Sequence, residues 1–259
     1  MLAILSDIHG NVEALQTVLA DARQHGAEEI ICLGDLVGYG PDPLPCVEMA
    51  MSWPVVLLGN HELAAISGDD LPGWSSPIAS QTIFRFRRDV LKQQKMQTIY
   101  PFLKNLPRSV QRDEALYVHG SPREPTNEYV FPEDIFNDKK LNVLFAKFST
   151  LCFCGHTHIP GVFARSPHWN FLSPTPQWSF TPPEECGYEV ATGGAQLLCN
   201  VGSVGQPRDG DRRACYVLFD GNTIRWRKLE YDVERTMHKL RTLDPPEDAM
   251  LADQLAEGR

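Results

Sequence analysis

The first sixty residues alternate between short apolar runs and one amphipathic stretch. Apolar residues dominate 2–6 and 29–33, a pattern typical of strands that are buried on both faces of a parallel sheet. Between these runs, apolar residues recur at helical spacing over 12–24. The pattern then predicts a short helix at about 45–51 and a third strand at 54–58. The amino-terminal half therefore predicts a βαβ arrangement.

A long amphipathic stretch at 75–103 predicts a helix in which apolar anchors lie among basic residues. We interpret its basic residues as a solvated helix face, with contact to a substrate as the alternative. These residues are Arg85, Arg87, Arg88, Lys92 and Lys95.

Strands dominate the chain beyond residue 109. The predicted strands are 109–112, 116–119, 151–154, 162–165, 195–200, 214–219 and 223–231. Asp220-Gly221-Asn222 joins the last two as a hairpin turn, and a helix at 233–243 precedes a polar tail. Two sheets packed face to face with helices outside would accommodate both halves of the chain.

Residues 166–194 are rich in Pro, Ser and Trp and show no clear periodicity. A loop of this length inside a compact domain is usually functional or disordered. Because two exposed Trp residues would be costly, we expect an ordered flap. The chain shows no internal repeat, so we predict a single domain over 1–259 with an insertion at about 166–194. A carboxy-terminal helix and tail begin at about residue 232.

Five polar clusters follow five of the apolar runs. They are Asp7-Ile8-His9, Gly34-Asp35, Gly59-Asn60-His61-Glu62, His119-Gly120 and Gly155-His156-Thr157-His158. In α/β sheets, ligands bind just beyond the carboxyl ends of the strands. One such motif alone would usually be a helix cap or a satisfied core group. Five in order, each at a strand end, predict one site.

The ligand chemistry of these clusters favours metal ions. Asp7 and His9 are two residues apart, so we expect both side chains to point the same way as the chain leaves its strand, and His156 and His158 repeat this spacing. Asp35 could offer one oxygen to two ions. The predicted ligands are Asp7, His9, Asp35, Asn60, His119, His156 and His158. Mixed imidazole and carboxylate ligands favour Mn, Fe, Zn, Ni or Co over Ca or Mg, and seven ligands suit two ions.

Composition limits the function further. The 259 residues are 42% hydrophobic, which is ample for a core, and the net charge of -9 disfavours a nucleic-acid or anionic-membrane surface. No apolar run approaches the roughly 18 residues of a membrane span, and the start lacks the regions of a secretory signal. Four of the seven Cys lie in apolar runs, where they act as buried filler, with a redox pair at Cys152 and Cys154 as the alternative. We expect a cytoplasmic protein.

The ordered motifs resemble those of the calcineurin-like metallophosphoesterase superfamily: DxH, GDxx(G/D), GNH(D/E), a lone His and GHxH. Residues 33–41, 118–122 and 200–208 are similar to a bacterial subgroup described as predicted phosphoesterases. The resemblance covers about 2–231 and implies an α/β (α+β) fold, a four-layer αββα sandwich of two mixed β-sheets flanked by helices. It implies that Asp7, His9, Asp35 and His158 hold one ion. It implies that Asp35, Asn60, His119 and His156 hold the other.

The resemblance also implies a reaction. A dinuclear-metal-dependent phosphoesterase would hydrolyse a small phosphodiester or phosphomonoester through a metal-bridging hydroxide, with His61 as general acid. A structural function of His61 is the alternative. Arg208 is a candidate for contact with phosphate, or else a solvated loop residue. Gly38 and Tyr39 stand where the serine/threonine protein phosphatases have Asp-Arg, which disfavours that activity.

Two other classes of protein remain as alternatives. Some members of the superfamily lose ligands and serve as non-catalytic scaffolds, but all seven ligand positions and His61 are present here. Others cut DNA, but the chain lacks a basic, aromatic-lined track for nucleic acid. We therefore expect a small phosphorylated substrate, no nucleic-acid partner and no membrane partner. The choice between diester and monoester, the metal and the oligomeric state stay open.

Overall fold

The computed structural model describes residues 1–67, 77–166, 177–183, 186–187, 189–243 and 247–259. The strands over these residues are β1 (Leu2–Leu5), β2 (Glu29–Cys32), β3 (Val55–Val56), β4 (Ser109–Arg112), β5 (Ala115–Val118), β6 (Leu151–Cys154), β7 (Gly161–Arg165), β8 (Trp178–Thr181), β9 (Glu189–Ala191), β10 (Leu197–Asn200), β11 (Ala214–Phe219) and β12 (Thr223–Leu229). The helices are α1 (Val12–Gln24), α2 (Pro43–Ala50), α3 (Asn60–Ser67), α4 (Pro77–Lys92), α5 (Met96–Lys104), α6 (Asp138–Phe145), α7 (Val233–Thr242) and α8 (Glu247–Glu257). A 3₁₀ helix spans Pro132–Phe136.

Two mixed sheets form the centre of the molecule. The order of one is β3-β2-β1-β11-β12-β9, and the order of the other is β4-β5-β6-β10-β7-β8. β1, β2 and β3 run parallel to one another, as the apolar amino-terminal runs predict, and β11 pairs with β1 in the antiparallel sense. In the second sheet, β5, β6 and β10 are parallel.

Side-chain alternation along the strands builds the four layers. Ala3 and Leu5 pack beneath the helices, while Ile4 between them belongs to the core between the two sheets. On β6, Cys152 and Cys154 face the outer core with α6, and Phe153 faces the other sheet. The predicted four-layer αββα sandwich is confirmed.

The local sequence pattern was sufficient to predict the bounds of the helix α1. The Asn11 side chain accepts a hydrogen bond from Ala14 N at 3.1 Å, which caps the amino terminus of the helix. Its apolar face, including Leu15 and Val18, is fully buried against the sheet. Both predicted ends, Val12 and Gln24, match the observed bounds.

Three predicted elements were wrong. The single helix at 75–103 is two helices, because the chain turns at Gln94 with a φ of 57° between α4 and α5. The polar tail contains α8, which buries Leu251, Ala252 and Leu255 in a cluster with α7. The stretch 166–194, which was expected to be a loop, contains the strands β8 and β9, and Trp178 is buried against Phe145, in agreement with an ordered segment. The remainder of the expected flap, including Trp169, lies outside the described residues.

The basic residues of α4 do not form one solvated face. Arg85 is buried and donates to the carbonyls of Tyr39 at 3.3 Å and Gly40 at 3.1 Å. Arg87 donates from its guanidinium to the carbonyls of α3. Arg88 and Lys92 are exposed, as predicted. The prediction was therefore wrong for Arg85 and Arg87, because Arg85 connects α4 to the loop after β2 and Arg87 connects α4 to α3.

Six of the seven cysteines are buried, and all seven are free thiols. Cys152 and Cys154 lie inside the apolar core of the second sheet, as the filler interpretation predicts. Burial raises the pKa of the Cys154 thiol to about 12, so that it stays protonated. Among the described helices, none is both long and apolar enough to span a membrane.

Candidate metal centre

The polar clusters converge at the carboxyl ends of the strands. Asp7 follows β1, Asp35 follows β2 and Asn60 follows β3 in the first sheet. The second sheet contributes His119 after β5, and His156 and His158 after β6. All seven predicted ligands are buried, although each is polar. Buried polar side chains are costly unless they have partners. The distances between these seven side chains indicate which partner they could share.

Asp7, His9 and His158 form the first ligand group. The Nε2 atom of His158 lies 3.1 Å from Asp7 Oδ1 and 3.1 Å from His9 Nε2. The distance between His9 Nε2 and Asp7 Oδ1 is 3.7 Å. These three atoms therefore face a common point, as ligands of one ion would.

Asn60, His119 and His156 form the second group. His119 Nε2 lies 3.0 Å from Asn60 Oδ1 and 3.1 Å from His156 Nδ1. It also lies 3.4 Å from Asp35 Oδ2. The second group thus mixes imidazole nitrogens with an amide oxygen and a carboxylate oxygen.

One oxygen of Asp35 lies between the two groups. Asp35 Oδ2 is 3.7 Å from His9 Nε2 in the first group and 3.4 Å from His119 Nε2 in the second. Asp35 Oδ2 and Asp7 Oδ1 are buried oxygens without a hydrogen-bond partner among the described residues. An unsatisfied buried carboxylate oxygen is costly, and a cation would satisfy both. The donor set therefore fits a pair of metal ions.

Three imidazoles donate a hydrogen bond from the ring nitrogen that faces away from the centre (the outer nitrogen). The other ring nitrogen (the inner one) is then free to bind a metal. His9 Nδ1 donates to the Val37 carbonyl at 3.0 Å, and His156 Nε2 donates to the Asn127 carbonyl at 3.2 Å. His158 Nδ1 donates to the Gln206 carbonyl. Because a carbonyl only accepts, each outer nitrogen carries the proton and each inner nitrogen keeps its lone pair. Metal-bound imidazoles usually have this arrangement.

The backbone that carries the ligands is left-handed. The φ angle is 54° at Asp7, 46° at His9, 56° at Asp35, 66° at His156 and 60° at His158. The strands β1 and β6 end before these residues, so alternation along a strand is not what aligns each i, i+2 pair. Left-handed turns at both members of each pair do so instead. Our expectation that strand geometry aligns each i, i+2 pair was therefore wrong, although the residues converge.

Glu62 holds the turn that carries Asp35. Its carboxylate accepts hydrogen bonds from the backbone N–H groups of Asp35 at 2.7 Å, Leu36 at 2.8 Å, and Val37 and Gly59 at 3.1 Å. Burial and the Asp35 carboxylate raise the pKa of Glu62 to about 8, and the N–H donors oppose this shift. The pattern of polar and apolar residues predicts no function for Glu62. Its place directly after Asn60-His61 was the available signal.

His61 lies beside the ligands. Its backbone N–H donates to Asp35 Oδ1 at 2.9 Å, and its Nε2 is 3.9 Å from Asp35 Oδ2. The ring packs against His9 at 4.6 Å and against Tyr39 at 4.8 Å between centroids. Burial lowers the pKa of His61 to about 4, although Asp35 opposes the shift. This position permits contact with a substrate. His61 also lies close enough to His9 and Asp35 for the three side chains to hold a metal ion together.

Gly38 approaches His61 so closely that no other residue fits without movement. A Cβ atom on Gly38 would lie 2.0 Å from His61 Nδ1, and the φ of Gly38 is 92°. The Asp that the protein phosphatases have at this position therefore has no room here. Tyr39 then turns its ring onto His9 at a centroid distance of 4.7 Å.

Arg208 lies at the edge of the centre and is not a fully solvated loop residue. It is half-buried, and its guanidinium lies 5.5 Å from the centroid of the Tyr39 ring. It also donates to Gln206 Oε1 at 3.0 Å. Its positive charge contributes to the lowered pKa of His158, after burial. The positive charge of the Arg208 guanidinium is therefore close enough to act on the ligands electrostatically.

The buried carboxylates of Asp7 and Asp35 favour positive charge close to them. Burial opposes a charged imidazole at His119, yet Asp35 and Asp7 outweigh it and raise the pKa of His119 to about 9. Burial and the positive charge of His119 lower the pKa of His156 to about 3, although Asp35 and Asp7 oppose the shift. The two carboxylates therefore favour a positive charge at this point of the centre, which a cation would supply.

The chain is similar to several known proteins. The family model described as the calcineurin-like phosphoesterase superfamily domain matches residues 1–223. An uncharacterized protein of Methanocaldococcus jannaschii is 32% identical over 270 aligned positions, which cover 100% of this chain and 98% of that protein.

Solved structures show the same relationship. The crystal structure of a metallophosphoesterase from Sphaerobacter thermophilus is 33% identical with a TM-score of 0.79, covering 100% of this chain and 98% of that one. A hypothetical protein of Pyrococcus horikoshii OT3 shares the fold at 17% identity and a TM-score of 0.69, covering 97% of this chain and 98% of its own.

Proposed function

The chain belongs to the calcineurin-like phosphoesterase superfamily, and from this premise we propose that it is a dinuclear-metal-dependent hydrolase of a small phosphodiester or phosphomonoester. The observation that carries the proposal is Asp35 Oδ2, which lies between two groups of buried imidazole, carboxylate and amide ligands. A single tetrahedral ion would leave one group without a cation.

The two ligand groups define the two sites. Asp7, His9, Asp35 and His158 would hold one ion. Asp35, Asn60, His119 and His156 would hold the other. When bound, such ions polarise the phosphoryl oxygens and lower the pKa of water at the site. The donor set suits Mn, Fe, Zn, Ni or Co.

His61 is the proposed general acid. Its ring is buried beside the bridging carboxylate, and Tyr39 and His9 hold the ring on two sides. An ester bound at the ligands would bring its leaving oxygen towards His61, which would donate a proton as the bond to phosphorus breaks. Burial favours the neutral form of the His61 ring. The negative charge of the bound substrate must therefore favour the protonated form of His61.

Arg208 is the proposed contact for a phosphoryl oxygen that does not react. The guanidinium is fixed by Gln206 on one side and by the Tyr39 ring on the other. The net charge of -9 would otherwise repel an anionic substrate, so a local cation contributes to binding. A guanidinium can also bind two phosphate oxygens at once.

The test is a hydrolysis assay with bis-p-nitrophenyl phosphate and p-nitrophenyl phosphate. Protein stripped of metal by a chelator should be inactive, and added Mn²⁺ should restore turnover of at least one ester. The ratio of the two rates then separates diesterase from monoesterase activity. Metal binding without turnover of either ester, for all five candidate metals, would favour the non-catalytic scaffold and reject the proposal.

A further inference from the structure

Three parallel rings form a column that leads outwards from the second ligand group. The rings of His156 and Tyr129 are stacked, with centroids 3.8 Å apart and planes inclined by 16°. Tyr129 and Phe131 are also stacked, at 5.2 Å and 11°. We call His156, Tyr129 and Phe131 the aromatic column. Its inner end is a predicted metal ligand, and its outer end meets solvent.

The outer two rings are exposed in spite of their size. Tyr129 and Phe131 each expose 41% of their surface, whereas Val130 between them exposes 2% and packs into the core. The extended chain therefore buries its middle residue and presents the two rings on one side. Tyr129 alone covers His156, and Phe131 extends the flat apolar surface outwards from it.

The column is held rigidly by its own loop. The backbone N–H of Phe131 donates to Asp134 Oδ2 at 2.9 Å, and Lys140 Nζ donates to the Tyr129 carbonyl at 2.7 Å. The Asn127 carbonyl, two residues before Tyr129, accepts the hydrogen bond from His156. A flat apolar surface is thus fixed beside the centre before any ligand arrives, which reduces the entropy lost on binding.

The column begins at the centre itself. Tyr129 stacks on His156, a proposed ligand of the second group, with ring centroids 3.8 Å apart. A molecule with its phosphate at the ligands would therefore have the column beside its remaining part.

On the premise of the proposed hydrolysis, we propose that the outer end of the aromatic column is a stacking subsite for a nucleobase, with Phe131 supplying the free ring face and Tyr129 supporting it, so that the substrates are small nucleoside phosphoesters. Every base has a π-face, and stacking on an aromatic side chain strengthens binding about tenfold per base, with little preference among bases. Sugar phosphates lack this group. The acidic chain disfavours a nucleic-acid polymer, so the ligand is a single nucleotide unit or a short ester of one.

The test compares two ligands that differ only by the base. Binding of adenosine 5′-monophosphate and of ribose 5-phosphate to the full, Mn²⁺-loaded chain is measured by calorimetry. The nucleotide should bind about tenfold more tightly, because stacking contributes roughly that factor. Phe131→Ala should remove most of the difference while leaving ribose 5-phosphate binding unchanged. Phe136→Ala is the matched control, since Phe136 is 76% exposed in the same segment but lies outside the column.

Equal affinity of the wild-type protein for the two ligands would overturn the subsite, as would a Phe131→Ala variant that weakens both ligands equally. Failure of the hydrolysis proposal gives a different result. Preferential binding of the nucleotide without turnover of any ester supports the subsite and rejects catalysis. Turnover without a contribution from the base rejects the subsite alone.

Discussion

Single residues at the metal centre adopt backbone conformations that L-amino acids seldom adopt. Asp7, His9, Asp35, His156 and His158 all have positive φ, and such residues each cost about 1–3 kcal/mol. Strain of this size persists only where neighbouring contacts over-determine the conformation. Here the N–H of Asp7 donates to Gly34 and that of His9 to Asp35, both through backbone carbonyls.

Some residues of the centre could be predicted from the sequence and others could not. The five clusters were recognisable because each follows an apolar run, and the structure brings all seven proposed ligands and His61 together. Glu62 and Tyr129 act through partners that are distant in sequence or depend on a loop conformation. Left-handed φ at Asp and His likewise leaves no signal in a pattern of polar and apolar residues.

We predict that His61→Asn lowers turnover by about 10²–10⁴-fold, because loss of a general acid has effects of this size. Metal content should stay unchanged, since the seven ligands are untouched. The measurements are the rate with the more reactive chromogenic ester and the metal content by mass spectrometry. His238→Asn is a suitable control, because His238 is an exposed residue of α7. Full turnover of His61→Asn would remove His61 from the mechanism.

At the scale of elements, the turn after β2 connects the helices to the centre. The Val37 carbonyl orients His9, and Tyr39 N donates to Thr82 Oγ1 at 3.1 Å. Arg85 of α4 donates to the carbonyls of Tyr39 and Gly40. The helix α4 therefore fixes the turn, although its basic residues gave the impression of a solvated face.

We predict that Gly38→Ala reduces turnover at least tenfold while the protein remains folded. The added Cβ would collide with His61 Nδ1 at 2.0 Å, so the ring must move out of line with the substrate. The matched control is Gly26→Ala, because Gly26 also has a positive φ of 73° but nothing within 4 Å of a Cβ. Both variants carry backbone strain, so turnover normalised to the folded fraction isolates the collision. Equal activities for the two variants would contradict this account of the turn.

The elements that the sequence predicted well were those that its local pattern defines. The bounds of α1 and the strands β4, β6 and β11 follow from periodicity and turn residues. The break between α4 and α5 depends on one left-handed residue, Gln94, which ordinary side-chain chemistry does not reveal. The helix α8 depends on packing against α7, a tertiary contact that a mixed acidic and apolar sequence does not show.

At the scale of the whole molecule, the centre requires both sheets in their packed arrangement. The strands β1, β2 and β3 supply ligands from one sheet, and β5 and β6 supply them from the other. The unfolded chain has no such site, so metal bound at the proposed centre would stabilise the folded state. The four layers were predictable in outline, since the family resemblance implies the sandwich and the alternation along the strands agrees with it.

The proposed function depends on two cations that share the carboxylate of Asp35. The most direct measurement is anomalous diffraction from crystals of the wild-type protein and of Asp35→Asn grown with Mn²⁺. We predict two peaks in the wild type, one within each ligand group and both beside Asp35 Oδ2, and loss of metal in the variant. A wild-type centre without metal, or two full equivalents retained by Asp35→Asn, would contradict the account.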